Sequence, residues 1–221
     1  MNCRLPLLDM FADGPRTIYK RYEMTFRNGH IDYDPVDPVE IKSPYDLVEA
    51  SFAFFGSNHI QLCVNDFLRG NHILCQWRKS MPAVMPSALW KQQNRHVDAW
   101  QVDAEINSIG VFLSPGQVLY HGGCLPNGSL NRPLSTTLDP SVAIAEALHK
   151  GKADACGSVN VYILRVSMPR TCVYVYNQSR GNLAHEREVL FASGARIDID
   201  SNFTEVPFPN IPGRIFNVQI A

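Results

Sequence analysis

Two glutamates separated by one residue are the clearest candidates for chemistry in this sequence. They are Glu186 and Glu188, in the segment His185-Glu186-Arg187-Glu188-Val189-Leu190-Phe191. The segment is rich in β-forming residues, and side chains alternate between the two faces of a strand. A strand here would therefore place both carboxylates on one face, close enough to share a site for proton transfer or for stabilising positive charge. The same pattern is also typical of a solvated strand edge.

Two further segments could line such a site. Leu119-Tyr120-His121-Gly122-Gly123 predicts a strand that ends on a histidine and two glycines, which let a ligand approach the backbone. Leu134-Ser135-Thr136-Thr137-Leu138 predicts a strand of hydroxyl side chains that runs into a helix start at Asp139-Pro140. Taken alone, either segment is also explained by ordinary strand, turn and cap chemistry.

The order of these segments resembles the signature of the bacterial mono-ADP-ribosyltransferase toxins and effectors. That signature runs Arg or His, then Ser-Thr-Ser, then Glu/Gln-x-Glu, and the matching residues are His121, Ser135-Thr136-Thr137 and Glu186-x-Glu188. Two earlier segments are similar to the helical region that precedes the catalytic core in this family. They are Phe54-Phe55-Gly56-Ser57 and Val64-Asn65-Asp66-Phe67-Leu68-Arg69-Gly70. With the stretch from Gly181 to Ile197, the resemblance covers residues 43–220.

The resemblance implies an enzyme that cleaves the nicotinamide–ribose bond of NAD and transfers ADP-ribose to a protein side chain. It implies that Glu188 stabilises the oxocarbenium-like ribose and that Glu186 orients or deprotonates the acceptor. Ser135 is expected to hydrogen-bond Glu188, and no metal is implied. The expected NAD-binding residues are His121, Gly122, Ser135 and Thr136.

The acceptor is expected to contact the loop that leads into the glutamates, through Asn177, Ser179 and Asn182. In this family a glutamate at the first position goes with arginine acceptors. However, His121 stands where the Ser-Thr-Ser branch has arginine, and a neutral imidazole cannot form the bidentate clamp of a guanidinium. This departure leaves room for a threonine or serine acceptor, as in effectors that modify a ubiquitin threonine. Residues 150–156 are a further candidate for covering the phosphates of NAD.

The first half of the chain carries mainly helical signals. Asn28-Gly29 between alternating segments predicts a hairpin, followed by a loop over residues 34–38. Ser43-Pro44 predicts a helix start, and Ser57 or Asn58 predicts a second one. A third helix is predicted from about Ser87, with an apolar stripe that should face the core. That stripe comprises Leu89, Trp90, Val97, Trp100 and Ala104.

The second half is β-rich, with short strands bounded by Gly, Pro, Asn or Ser. We therefore predict an α+β protein with an ADP-ribosyltransferase-like fold, read as a single domain. A helical lobe over residues 43–112 should pack on a split mixed or antiparallel sheet over residues 113–221, around a central NAD cleft. Residues 1–42 form an N-terminal hairpin or extension in this scheme.

Composition narrows the partners and the compartment. Lys+Arg 20 against Asp+Glu 21 gives a net charge of -1, which argues against a nucleic-acid partner. No apolar run is long enough for a membrane span, and the first residues are too weakly apolar for a cleavable signal. Six cysteines without a metal-like spacing predict free thiols in a reducing compartment. Together with these features, the resemblance implies a secreted bacterial effector that acts in a host cytosol, or otherwise a cytoplasmic protein, and we expect a monomer.

Two alternatives remain open from the sequence. The same cleft with water as the acceptor would make the protein an NAD glycohydrolase. A degenerate domain of the same fold would bind a partner without catalysis. The presence of both Glu186 and Glu188 speaks against this last alternative, because partner binding alone requires neither carboxylate.

Overall fold

The structure is a computed structural model that describes residues 3–27, 30–94, 97–176 and 187–221. Five helices lie between residues 44 and 109 of these ranges, and most strands follow residue 111. This arrangement confirms the predicted α+β class, with a helical front and a β-rich back.

The helices begin largely where the sequence predicts. Ser43 caps the first one by accepting a hydrogen bond from the Asp46 N–H, with Pro44 at the first helical position. None of the helices in the described ranges has the length and apolarity needed to span a membrane. The helices are α1 (Pro44–Ala53), α2 (His59–Leu68), α3 (His72–Lys79), α4 (Ser87–Asn94), α5 (Ala99–Ile109), α6 (Pro140–Leu148) and α7 (Lys152–Cys156), with a 3-10 turn over His149–Gly151.

The prediction of the third helix is wrong in the extent of the helix and in the direction of its aromatic side chains. It is divided into α4 and α5, because Asp98 has an extended backbone (φ -64, ψ 130) and starts a new helix. Trp90 and Trp100 do not face the core, since they are 51% and 67% exposed. The fully buried tryptophan is Trp77 on α3, which was not predicted, and its indole N–H donates to the Pro6 carbonyl at 2.7 Å.

Eight strands of the described ranges form one mixed sheet, in the order β6-β11-β12-β8-β5-β7-β10-β9. They are β5 (Val118–Gly122), β6 (Gly128–Ser129), β7 (Leu134–Thr137), β8 (Val159–Val166), β9 (Val173–Val175), β10 (Glu188–Phe191), β11 (Arg196–Val206) and β12 (Gly213–Ile220). β12 runs parallel to β8, whereas the other neighbours pair antiparallel.

The N-terminal residues form smaller sheets. β1 (Cys3–Arg4) pairs in parallel with β4 (Val111–Phe112), and β2 (Arg16–Arg27) pairs antiparallel with β3 (His30–Ile41). The latter pair confirms the predicted hairpin, although Asn28 and Gly29 lie outside the described residues. The loop predicted over residues 34–38 is wrong, because β3 continues through Pro35 and Pro38. Each strand of a two-stranded ribbon is an edge, where proline is tolerated.

The strands that carry the candidate site are neighbours. β5 meets β7 at the pair Tyr120–Thr137. β7 then pairs with β10 along its whole length, from Leu134 opposite Phe191 to Thr137 opposite Glu188. The fold therefore brings together the three segments that the sequence singled out.

Candidate active site

A cleft with a cavity volume of about 390 Å³ opens where these three strands meet α6 and α7. This volume lies within the range of ~300–1000 Å³ found for small-molecule sites. Five of the predicted site residues line it, namely His121, Gly122, Ser135, Thr136 and Glu188. The helical side contributes Gln92, Val142, Ala143, Glu146, His149 and Lys152.

Glu188 is the first residue of β10 and is half-buried. The Ser135 hydroxyl donates to Glu188 Oε1 at 2.6 Å, which is the hydrogen bond that the sequence resemblance implied. In the ladder Ser135 lies opposite Leu190, so its bond to Glu188 runs diagonally across the two strands. A charge-assisted hydrogen bond of this length fixes the orientation of the carboxylate.

The two threonines after Ser135 use their hydroxyls within the scaffold. Thr136 is buried, and its Oγ1 donates to the Val189 carbonyl at 2.6 Å, which ties β7 to β10. Thr137 Oγ1 accepts from the Asp139 N–H at 3.0 Å at the approach to α6. Ser135 is followed by these two residues and bonds a cleft carboxylate through its own hydroxyl.

His121 is held in one tautomer by its backbone partner. Its Nδ1 lies 2.8 Å from the Ser135 carbonyl oxygen, and a carbonyl only accepts, so Nδ1 carries the proton. Burial lowers the pKa of His121, although the bond to Ser135 opposes this shift. The imidazole is thus neutral near pH 7, and its Nε2 can accept a hydrogen bond from a ligand hydroxyl.

The glycine at position 122 has a different reason from the one predicted. A Cβ atom there would lie 1.7 Å from the Ala143 carbonyl oxygen on α6. Glycine is therefore required because α6 approaches β5 closely at this position. The sequence predicted instead that glycine leaves space for a ligand. Gly122 nevertheless lines the cleft, at the point where sheet and helix touch.

Two of the six cysteines contradict the prediction of free thiols. Cys124 and Cys156 form a disulfide that links the loop after β5 to the end of α7. They are 32 residues apart, with a Cα–Cα distance of 6.3 Å. Sequence spacing gave no signal for this pair, because the turn of the chain through β7 and α6 is what brings the two residues together. The free cysteines in the described ranges are Cys3, Cys63, Cys75 and Cys172.

One cation of residues 150–156, Lys152, lines the cleft. Lys152 Nζ lies 3.1 Å from Glu146 Oε2, with both side chains nearly half exposed. The pair is therefore screened by solvent and holds α7 only weakly.

A buried ion pair between Asp139 and Arg187 has no sequence signal, since Asp139 is predicted only to cap a helix. Asp139 does cap α6 by accepting from the Ser141 N–H, but its other oxygen lies 3.0 Å from Arg187 Nη1. Burial raises the pKa of Asp139, and the Arg187 guanidinium opposes this shift. Arg187 has a φ of 48°, so β10 begins at Glu188 and the regular strand predicted through Arg187 is wrong there.

Four of the predicted site residues lie outside the described residues. They are Glu186, Asn177, Ser179 and Asn182. Among the residues that are described, no group of three or more His, Cys, Asp or Glu side chains is arranged to hold a metal ion.

No protein-family model matches the sequence, and no curated protein matches it either. The structure is similar to solved bacterial ADP-ribosylating toxins. BECa of a C. perfringens binary enterotoxin, solved with NADH, is 12% identical over 94% of this chain, with a TM-score of 0.41. The Vis toxin of Vibrio splendidus is 18% identical over 80% of this chain and 82% of its own, with a TM-score of 0.34. Plx2a from Paenibacillus larvae is 12% identical over 79% of this chain and 85% of its own, with a TM-score of 0.37. This chain spans 57% of the BECa chain.

Proposed function

We propose that this protein is an NAD-dependent mono-ADP-ribosyltransferase. The observation that carries the proposal is the Glu188 carboxylate, which Ser135 fixes on the wall of a cleft of about 390 Å³ that is also lined by His121. In the reaction the bond between nicotinamide and ribose breaks, and the ribose carbon bonds to an acceptor nucleophile. Nicotinamide leaves as a neutral molecule, and the acceptor loses one proton.

Glu188 supplies the electrostatic part of catalysis in this proposal. Nicotinamide departs neutral from a cationic ring, so no strong general acid is needed, and positive charge develops on the ribose instead. A carboxylate beside that carbon stabilises the transition state more than the ground state. Ser135 keeps the carboxylate oriented, so that little reorganisation is needed when the charge appears.

The other cleft residues would hold NAD. Nε2 of His121 would accept a hydrogen bond from a ribose hydroxyl, and the wall at Gly122 would contact the nicotinamide end. Lys152 would bring positive charge to the pyrophosphate, in exchange for its solvent-screened partner Glu146. Thr136 would act as scaffold, since its hydroxyl already joins the two strands.

The acceptor in this proposal is a protein side chain. Glu186 would orient or deprotonate it, and Asn177, Ser179 and Asn182 would recognise the acceptor protein. Arginine is the first candidate and threonine or serine the second, with ubiquitin as one acceptor to test. The near-neutral net charge favours a protein over a nucleic acid as the partner. We place the protein among secreted bacterial effectors or toxins that act in a host cytosol.

The decisive experiment supplies labelled NAD to the protein with host-cell lysate, with purified ubiquitin and with agmatine as a guanidine acceptor. Wild type is compared with Glu188→Gln, which removes the charge but keeps an oxygen for the Ser135 hydroxyl. Glu205→Gln is the matched control, because Glu205 is an exposed carboxylate on β11. We expect Glu188→Gln to lower transfer by ~10²- to 10³-fold with NAD binding retained.

Each other outcome has a defined meaning. Transfer that persists in Glu188→Gln contradicts the role of this carboxylate. Nicotinamide release without labelled acceptor in any mixture favours the NAD glycohydrolase, for which the same Glu188 and Ser135 geometry would serve. A wild-type protein that does not bind NAD contradicts the enzyme altogether and favours a partner-binding domain.

A further inference from the structure

The buried ion pair between Arg187 and Asp139 directly adjoins the catalytic carboxylate in sequence. Its atoms are 3.0 Å apart, and the two side chains are only 13% and 1% exposed. Buried charges need further hydrogen bonds to offset the loss of water. Asp139 has one, since its Oδ1 accepts from the Ser141 N–H at 2.9 Å. The pair is thus built into the fold, unlike the exposed pairs elsewhere on the molecule.

The backbone of Arg187 is held by the same segment. Its φ of 48° lies in the left-handed region, which is unfavourable for a residue with a side chain and persists where the surroundings fix it. Its carbonyl accepts a hydrogen bond from the Leu138 N–H at 3.4 Å. Both the side chain and the backbone of Arg187 therefore contact residues 138–139, which connect β7 to α6.

We propose that Arg187 and Asp139 are positioning residues for catalysis. Their ion pair holds the turn that starts β10, and this turn sets where the Glu188 carboxylate stands relative to Ser135. The same pair fixes the start of α6. Further along α6, the Ala143 carbonyl packs against Gly122, which lines the cleft. This inference rests on the proposed transferase, because it assigns Arg187 a role in the geometry of that reaction.

The test uses a double variant, because Arg187→Met alone leaves Asp139 charged, buried and unpaired, which destabilises the fold. Arg187→Met with Asp139→Asn removes both charges, and asparagine retains an oxygen that can cap α6. We expect kcat to fall by about tenfold to a hundredfold, since small displacements of a reacting group have effects of this size. The KM for NAD should change by less than about twofold, because neither side chain lines the cleft.

Two further variants separate positioning from a general structural role. Arg187→Lys restores a positive charge opposite Asp139 without the planar fork of the guanidinium, and it should keep more of the kcat than the double variant. Arg214→Met with Glu205→Gln removes an ion pair of 3.8 Å between β12 and β11, away from the cleft. This control should leave kcat unchanged.

A double variant with wild-type kcat overturns the proposal, and so does a loss of kcat that merely follows the loss of folded protein. If wild type neither transfers ADP-ribose nor releases nicotinamide, the proposed function fails separately. A crystal structure of the double variant then tests positioning by itself. The Ser135–Glu188 oxygen distance should exceed 3.5 Å, and its retention at 2.6 Å would refute the inference.

Discussion

The two walls of the cleft are held in place by different kinds of interaction. The glutamate wall is built from segments 135–137 and 187–189, which line the cleft through Ser135 and Glu188. The histidine wall is built from segments 121–124 and 149–156, which line it through His121 and Lys152. Buried side-chain hydrogen bonds and a buried ion pair fix the glutamate wall. A disulfide and a solvent-screened ion pair hold residues 149–156 of the histidine wall, and His121 is bonded to the Ser135 carbonyl.

This difference matches the different tasks of the two walls in the proposed reaction. The carboxylate that faces developing charge must already be oriented, and the Ser135 hydroxyl achieves this with support from the buried contacts of the neighbouring residues. The wall that faces the larger part of the nucleotide needs only to stay near it. A covalent link between two surface segments is sufficient for that purpose. Variants that weaken each wall in turn test this difference.

Loss of the disulfide should have the largest effect, and it should act on stability. Cys124→Ser with Cys156→Ser removes the link across 32 residues and should lower the free energy of unfolding by about 2–4 kcal/mol. Denaturant unfolding measures this change, and Cys75→Ser, at an exposed free thiol, is the control. We expect kcat to stay unchanged, because the disulfide joins two segments of the histidine wall. A large fall in kcat would show that the two walls are coupled.

Ser135→Ala removes the hydrogen bond between Ser135 and Glu188 in the glutamate wall. A hydrogen bond to a charged group contributes about 1.5–3 kcal/mol, so kcat should fall by roughly 10- to 100-fold. The melting temperature should change little, because the Ser135 side chain is exposed. Steady-state NAD turnover provides the measurement, with Ser129→Ala on β6 as a control at another exposed serine. A kcat within twofold of wild type would mean that Glu188 is oriented by other contacts.

His121→Ala should act mainly on NAD affinity. Removal of one neutral hydrogen bond of about 1 kcal/mol predicts a rise in KM of roughly fivefold, with a smaller change in kcat. Calorimetric titration with NAD checks the affinity directly. An unchanged affinity would show that His121 does not bind NAD. A fall in kcat alone would show that His121 acts on the chemical step, as the glutamate wall does.

The smallest expected effect is a pH dependence of stability that comes from His121. Burial lowers its pKa below the ordinary 6.5, so the unfolded chain binds this proton more readily than the folded protein. Its contribution to stability is therefore full above about pH 6.5 and is lost as the pH falls through the folded pKa. His121→Asn keeps a donor for the Ser135 carbonyl but does not titrate. Melting curves should show that wild type loses more stability than this variant on acidification, and parallel curves would contradict the prediction.

Much of the fold was predictable because the sequence signals that start its helices involve residues close together in the chain. Ser43-Pro44 and Asp139-Pro140 start helices through bonds that reach only two or three residues along the chain. The helix predicted from Ser87 failed for the opposite reason, because the exposure of Trp90 and Trp100 depends on which distant elements pack against them. Periodicity alone does not report those partners.

The residues of the candidate site were predictable from the sequence, whereas the contacts that hold these residues in place were not. The resemblance of three separated motifs indicated that His121, Ser135 and Glu188 meet, and the structure places them in one cleft. Neither the disulfide nor the Arg187–Asp139 pair had a sequence signal, because each joins residues that are distant in the chain. The left-handed backbone of Arg187 is likewise set by a tertiary partner and not by its own residue type.

The diagonal bond between Ser135 and Glu188 has a consequence for how the protein matures. Its two residues are 53 positions apart, and α6, α7, β8 and β9 all lie between them in the chain. Contacts across such a separation form slowly, because the intervening chain must first be ordered. A chain still emerging during synthesis, or one that has lost β10, has no carboxylate held against Ser135. In the proposed transferase, the catalytic carboxylate is therefore oriented only after β10 has paired with β7.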